Sequence, residues 1–381
     1  MRLLFRLSAI VLGVLGLMPS AMLAFVCTTR TGLVFALGGM LLSGAPIMVC
    51  SPWRARWKAA LSMVLGWAAV TVWLALESPS GQAPPAAAVQ HRYVGGQGAF
   101  QRYALGNLLP EQDQFALGFR LIPAVDPLFT QRQAGHLSAL VKDIYNELEA
   151  DPAFHAMGSV MPEAYDELWG LPFEHGHYWL YVPPGLDRTK PHPALVFLHG
   201  SGGSFKAYTW LLAKVAEQRH MILIAPSYGM GNWTEESTTR TIHRALDDAA
   251  KVVAIDKGRV HLAGLSNGGL GVSYAAMAMG GEFRSLVFFS PVFNNPVLAS
   301  EAFASQWRGR PVLVISGTED DRIPFDYVTR CVDTMREQGA EVILKPVEGA
   351  NHFMFFSHRE RVLKVLEEWL GAFKEKALDP Q

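Results

Sequence analysis

The sequence predicts an α/β fold: a doubly wound, mostly parallel sheet preceded by N-terminal transmembrane helices. Three observations carry this. Apolar runs at residues 3–26, 31–50 and 59–76 open the chain with almost no charge. From residue 175 onward, short apolar runs alternate with amphipathic helical patterns. Residues 259–274, RVHLAGLSNGGLGVSY, read as a buried strand entering a tight glycine turn that opens at once into a helix.

Composition narrows the classes. The chain has 381 residues, 33 basic against 34 acidic, for a net charge of -1, which gives no footprint for a nucleic-acid partner. Half of the residues are hydrophobic, and the excess lies at the N-terminus. Three cysteines, Cys27, Cys50 and Cys331, make neither a disulfide framework nor a C-x-x-C zinc spacing.

Each N-terminal run is long enough to cross a hydrocarbon core of roughly 30 Å. Buried core helices are the alternative, but three consecutive uncharged runs would make a strange core. Arg2, Arg6 and a leucine-rich centre also fit a cleaved signal peptide for the first run. Its small-x-small cleavage pattern is poor, because Met22 falls three residues before a cut after Ala24, so an uncleaved span is expected. Phe25 and Val26 stand where a lipoprotein cysteine at 27 would need small residues. Arg2 and Arg6 flank the first span, and Arg54, Arg56 and Lys58 separate the second from the third, while only Arg30 separates the first from the second. The positive-inside rule then puts the N-terminus and the second loop in the cytoplasm. Everything after Glu77 is delivered to the non-cytoplasmic side, the periplasmic face of an inner membrane if the chain is bacterial. Trp53, Trp57, Trp67 and Trp73 include candidate interface anchors. No ionisable residue lies deep in the second or third span, so the reading is an anchor and not a transport path.

Residues 78–98 are rich in Pro, Ala and Gly and read as an extended tether. Residues 131–150 have an amphipathic pattern, with Leu137, Leu140, Val141, Ile144 and Leu148 on one face, stopped by Asp151-Pro152. Residues 162–169 form a candidate short helix. This region either packs on the domain that follows or roofs its cleft.

Residues 175–182 alternate like a strand, and Pro183-Pro184-Gly185 ends it. His175-x-His177 has no third metal ligand nearby, so strand alternation is the better account. Residues 193–199, PALVFLH, suit a strand buried on both faces. It runs into Gly200-Ser201-Gly202-Gly203-Ser204, which lacks both the G-x-x-x-x-G-K-[ST] and the G-x-G-x-x-G spacings. A glycine loop that aims a backbone N–H at an oxyanion is the better reading, with a plain strand-to-helix turn as the alternative and His199 as a packing residue. Residues 221–225 form the next strand. Asn232 with Glu235 is a possible capping box for a helix carrying Ile242, Ala245, Leu246, Ala249, Val252 and Val253 on one face, with His243, Asp247 and Asp248 toward solvent. Strands at 284–290, 311–316 and 341–347 and helices at 325–337 and 355–375 complete the pattern. In such sheets ligands sit at the carboxyl ends of the strands.

The turn Gly264-x-Ser266-x-Gly268 places a serine at the tip of a strained strand-to-helix elbow, facing the positive end of the helix that follows. A serine hydroxyl needs a base to take its proton and a carboxylate to hold that base in the right tautomer. Downstream the chain offers Glu319-Asp320-Asp321 after one strand and His352 after the next, giving the order Ser, Asp, His.

With HGSGG at 199–203, GLSNGG at 264–269, GTEDDRIP at 317–324 and GANH at 349–352, the chain resembles the α/β-hydrolase fold superfamily, in particular its esterase, depolymerase-like and dienelactone hydrolase-like members. The resemblance covers roughly residues 175–370. It implies Ser266 as nucleophile, His352 as general base and acid, and Asp320 as the acid, four residues before the family's proline. It also implies an oxyanion hole from the backbone N–H groups of Asn267 and Ser201. Glu319 and Asp321 flank Asp320, so that assignment follows the pattern. Ser201 stands where some esterases carry glycine, which leaves the donor open by about one residue.

The expected organisation is a membrane anchor at 1–77, a linker at 78–99, a helical extension at 100–174 and a catalytic domain at 175–375. The expected activity is membrane-anchored cleavage of small carboxylic esters through an acyl-enzyme. Serine peptidase, thioesterase and acyltransferase are alternatives on the same triad, and a non-catalytic scaffold is the alternative of another class. The lipid bilayer is the expected partner of the anchor, and no metal or organic cofactor is implied. Phe205, Tyr208, Trp233, Phe293, Phe325, Phe353 and Phe355 fit either an apolar cleft or ordinary packing.

Overall fold

Side-chain hydrophobicity and two tight helix crossings shape the N-terminal part. In the computed structural model, which describes residues 2–83, 86–94, 100–124, 126–127, 129–170, 176–231 and 233–373, the apolar runs are three helices: α1 (Arg2–Val26), α2 (Arg30–Cys50) and α3 (Arg56–Glu77). All three are long and apolar enough to cross a membrane. They pack in chain order, α1 on α2 and α2 on α3. Gly16 and Gly39 lie where any side chain would strike the hydroxyls of Ser43 and Ser20, so small residues set the α1–α2 approach. The leucines on the outer faces are exposed, as expected for surface that meets lipid.

The chain divides into two compact units. The first is residues 1–80 with 101–146, which adds α4 (Leu105–Leu108), α5 (Glu111–Leu121) and the first part of α6 (Gln131–Ala150). Within it the buried carboxylate of Asp113 accepts the backbone N–H and hydroxyl of Thr28, at 2.5 and 3.1 Å. It also accepts the N–H of Thr29 at 3.3 Å and the Thr29 hydroxyl. Thr29 is itself the N-cap of α2, accepting Gly32 N–H at 2.9 Å.

The second unit, residues 81–100 with 147–381, holds an eight-stranded sheet in the order β1-β2-β4-β3-β5-β6-β7-β8. Its elements in chain order are β1 (Val89–Tyr93), α7 (Pro152–Met157), α8 (Met161–Leu168), β2 (His177–Tyr181), β3 (His192–Leu198), α9 (Lys206–Gln218), β4 (Ile222–Pro226), α10 (Glu235–Ala249), β5 (Ile255–Leu265), α11 (Gly268–Ala278), β6 (Ser285–Phe289), α12 (Asn295–Leu298), α13 (Glu301–Trp307), β7 (Pro311–Gly317), α14 (Phe325–Glu337), β8 (Glu341–Val347), α15 (Met354–Ser357) and α16 (Arg359–Gly371). β1 and β2 run antiparallel, and β2 is antiparallel to β4. All pairings from β4 through β8 are parallel. The central strands are buried on both faces, which is why they read as continuous apolar runs.

Four readings change. Part of the segment read as a tether forms β1, whose register pairs Val89 with Tyr181 and Tyr93 with His177. The stretch read as one helical extension is divided between the two units inside α6. Asp248, expected near solvent, is 5% exposed: it accepts Arg92 Nη2 at 2.9 Å and the Tyr178 hydroxyl at 2.9 Å. An amphipathic wheel places it on the polar side, but β1 and β2 bring a cation and a phenol to that side. The closing helix breaks at His358 into α15 and α16. Asn232 and His175 lie outside the described residues; α10 is capped by a box of Thr234 and Ser237.

Candidate active site

The site is built on three loops at the carboxyl ends of β3, β5 and β7 and on the loop after β8. β5 delivers Ser266 at a φ of 51°, a left-handed conformation that costs a non-glycine residue energy. Its N–H donates to Phe289 O, and its carbonyl accepts Gly269 N–H and Val292 N–H, each at 2.9 Å. Those three bonds hold the strained turn. Gly268 fits because any side chain there would enter the carbonyl of Leu198.

The loop after β7 delivers Asp320, whose side chain is fully buried. Its Oδ1 accepts the N–H groups of Arg322 at 3.0 Å and Ile323 at 2.8 Å. Its Oδ2 lies 2.9 Å from His352 Nδ1. The other ring nitrogen, Nε2, lies 3.0 Å from Ser266 Oγ. A carboxylate only accepts, so Nδ1 carries the proton and Nε2 is left to accept from the serine hydroxyl. Glu319 and Asp321 are exposed, and it is Asp320 that meets the imidazole. The structure therefore brings Ser266, His352 and Asp320 into one hydrogen-bonded line.

Ser201 and Asn267 also meet: Asn267 Nδ2 donates to Ser201 Oγ at 3.3 Å. Gly202 N–H is committed to the Met230 carbonyl at 2.8 Å. Among the described residues, the N–H groups of Ser201 and Asn267 donate to no protein acceptor.

His199 is fully buried and neutral, its pKa lowered by burial to about 4. Its Nδ1 donates to Gly200 O at 2.8 Å, and its Nε2 accepts Tyr228 N–H at 3.0 Å. It holds the loop, as its sequence position suggested. Of the aromatic candidates, Tyr208, Trp233, Phe293 and Phe355 are buried packing residues, whereas Phe205, Phe325 and Phe353 are half-buried. Phe353 stands edge-on to His352, with ring centroids 5.6 Å apart. Among the described residues no group of three metal-ligating side chains occurs.

Residues 195–309 match the Alpha/beta hydrolase family, and residues 299–379 match the Prolyl oligopeptidase family. Both matched stretches lie in the sheet-bearing unit, which has an α/β-hydrolase-like fold. Among curated relatives, the chain is 24% identical over 244 residues to dipeptidyl-peptidase 5 of Porphyromonas gingivalis, across 51% of this chain and 35% of that protein. It is 25% identical over 165 residues to the bifunctional acetylxylan esterase/xylanase XynS20E of Neocallimastix patriciarum, across 42% of this chain and 23% of that one. The chain thus spans about a third or less of these relatives' length. Among solved structures, the butyrate-bound thermophilic esterase Est2 of Thermogutta terrifontis aligns at 19% identity and a TM-score of 0.44, covering 54% of this chain and 91% of Est2. The paraoxon-phosphorylated form of that hydrolase aligns at 20% and 0.43, with coverage of 54% and 91%.

α8 was legible as a short helix that packs on the following domain or roofs its cleft, but its particular contacts with the loops after β3 and β4 were not legible. A methyl group built on Gly203 would touch Met161 Sδ at 3.4 Å and Ala164 Cβ at 3.5 Å, and Glu167 accepts Met230 N–H. No sequence spacing announces a contact between a side chain and a backbone amide 63 residues away.

Proposed function

We propose that this chain is a membrane-anchored serine hydrolase that cleaves small carboxylic esters through an acyl-enzyme on Ser266. The observation that supports it is the hydrogen-bonded line from Ser266 Oγ through His352 to Asp320. As Oγ attacks the ester carbonyl, His352 Nε2 takes its proton, and Asp320 stabilises the imidazolium that forms. The carbonyl oxygen becomes an oxyanion facing the N–H groups of Asn267, at the start of α11, and of Ser201, in the loop after β3. His352 then protonates the leaving alkoxide, and the C–O bond breaks. Water, deprotonated by the same nitrogen, releases the carboxylic acid and restores the serine.

A fluorophosphonate probe is expected to label Ser266 stoichiometrically, and Ser266→Ala to abolish both labelling and turnover of p-nitrophenyl esters. Full labelling of the Ser266→Ala protein would remove this reading. A serine peptidase on the same triad is the second reading, supported by the match of residues 299–379 and by the peptidase relative. A panel pairing short esters with peptide amides separates the two: esters alone favour the first, and amides with a free N-terminus favour the second.

A further inference from the structure

The loop after β3, residues 199–205, takes most of its hydrogen bonds from partners outside it. Gly202 and Gly203 carry φ of 102° and 114°, so the peptide planes here depend on outside partners. The second loop, after β4, supplies them. Gly202 N–H donates to Met230 O at 2.8 Å, Tyr228 N–H donates to His199 Nε2, and Trp233 Nε1–H donates to His199 O at 2.9 Å. The second loop is in turn held from outside the segment that matches the hydrolase family: Glu167, in the last turn of α8, accepts Met230 N–H on its carboxylate. Met161 and Ala164, one helical face with Glu167, lie against Gly203. Both ends of the Met230 residue are therefore occupied, its N–H by α8 and its carbonyl by the loop that carries Ser201.

We propose that Glu167 is a positioning residue for the oxyanion hole, fixing the Ser201–Gly202 backbone through Met230. The inference rests on the reading of Ser266 as nucleophile. An N–H must stand about 3 Å from where the oxyanion forms, and a shift of order 1 Å costs up to about 10²-fold in rate. A carboxylate is the right clamp because a charge-assisted bond to an amide is about twice as strong as a neutral one.

The test uses the full-length protein in detergent, with kcat expressed per fluorophosphonate-titrated site so that misfolded molecules are not counted. Glu167→Ala is expected to lower kcat on p-nitrophenyl acetate about tenfold with KM within about twofold. It should also raise the inhibition constant of a trifluoromethyl ketone, whose adduct carries the oxyanion, by a similar factor. Glu167→Gln, whose Oε1 can still accept Met230 N–H, is expected to recover most of both. If Glu167→Ala does not fold, Glu167→Asp, one methylene too short, serves in its place. The proposal is overturned by wild-type kcat and ketone affinity in the short variants. A rise in KM alone, or a Gln variant as impaired as Ala, also overturns it. If Ser266→Ala still turns over ester, the reading of the site falls instead, and the two failures are distinguishable.

Discussion

Ser266 shows how the backbone sets the place of a single side chain. At a φ of 51° the chain is strained, and the side chain meets His352 Nε2 at 3.0 Å. The three backbone bonds at the elbow hold that strain in place, so the hydroxyl is positioned before substrate arrives. Asp320 plays the matching part on the far side of the imidazole. Two amides fix its Oδ1, leaving Oδ2 for Nδ1. Asp320→Asn keeps the shape but can present an amide N–H to Nδ1, which favours the tautomer with the proton on Nε2. On the triad reading kcat is expected to fall about 10³- to 10⁴-fold, whereas Asp321→Asn, an exposed neighbour, changes it less than about twofold. Steady-state kinetics of the two variants side by side decide which carboxylate is the partner; equal losses would sink the assignment.

At the level of elements, helices and strands with strong periodicity were readable and their partnerships were not. α14 occupies the stretch expected of it, because the regular stripe of Val328, Val332 and Met335 encodes burial locally, and β8 does so as an edge strand with only Val342 and Val347 buried. β1 was hidden in a Pro- and Ala-rich segment, since five residues on a sheet edge need no apolar run when β2 supplies the ladder. The three apolar helices carry a prediction of their own. Asp113 binds Thr28 and Thr29, so residue 113 and the α1–α2 turn sit at one end of the helical unit. If α1 to α3 span a bilayer, that end lies across it from Arg54, Arg56 and Lys58. Alkaline phosphatase fused after Glu77 is expected to be active, and fused between Ser51 and Arg54 to be inactive. The reverse pattern would invert the proposed orientation.

For the molecule as a whole, buried polar groups make stability depend on pH. Burial lowers His199 to about 4, and His91 and His261 to about 3, with Arg284 and Arg259 adding to the effect on His261. The unfolded chain takes up these protons near 6.5, before the folded chain does. Their stabilisation is therefore complete above about pH 6.5 and is lost on acidification, at up to about 1.4 kcal/mol per pH unit for each group. Glu163 works the other way. Burial raises its carboxyl to about 7, so between that value and about 4.5 it favours the folded state as pH falls. The urea midpoint of the full-length protein is thus expected to drop from pH 6.5 to 4.5 and to drop more steeply below 4.5, where Glu163 no longer offsets the histidine losses and the lowered carboxyls of Glu149 and Asp248 add theirs. A midpoint that is flat from pH 6.5 to 4 would mean these imidazoles reach solvent in the folded state.

The sequence by itself determined the class of sheet, the three apolar helices, the serine elbow and the order of the candidate triad. Each is written in neighbouring residues, as a period, a run or a turn that few side chains tolerate. Tertiary structure alone decided that Asp248 is buried against Arg92 and that α8 grips the backbone beside Ser201, and it put Asp320, the carboxylate implied by the family resemblance, against His352. These depend on groups brought together from distant parts of the chain, often through a backbone amide that every residue but proline carries, and such a contact leaves no mark in the order of side chains.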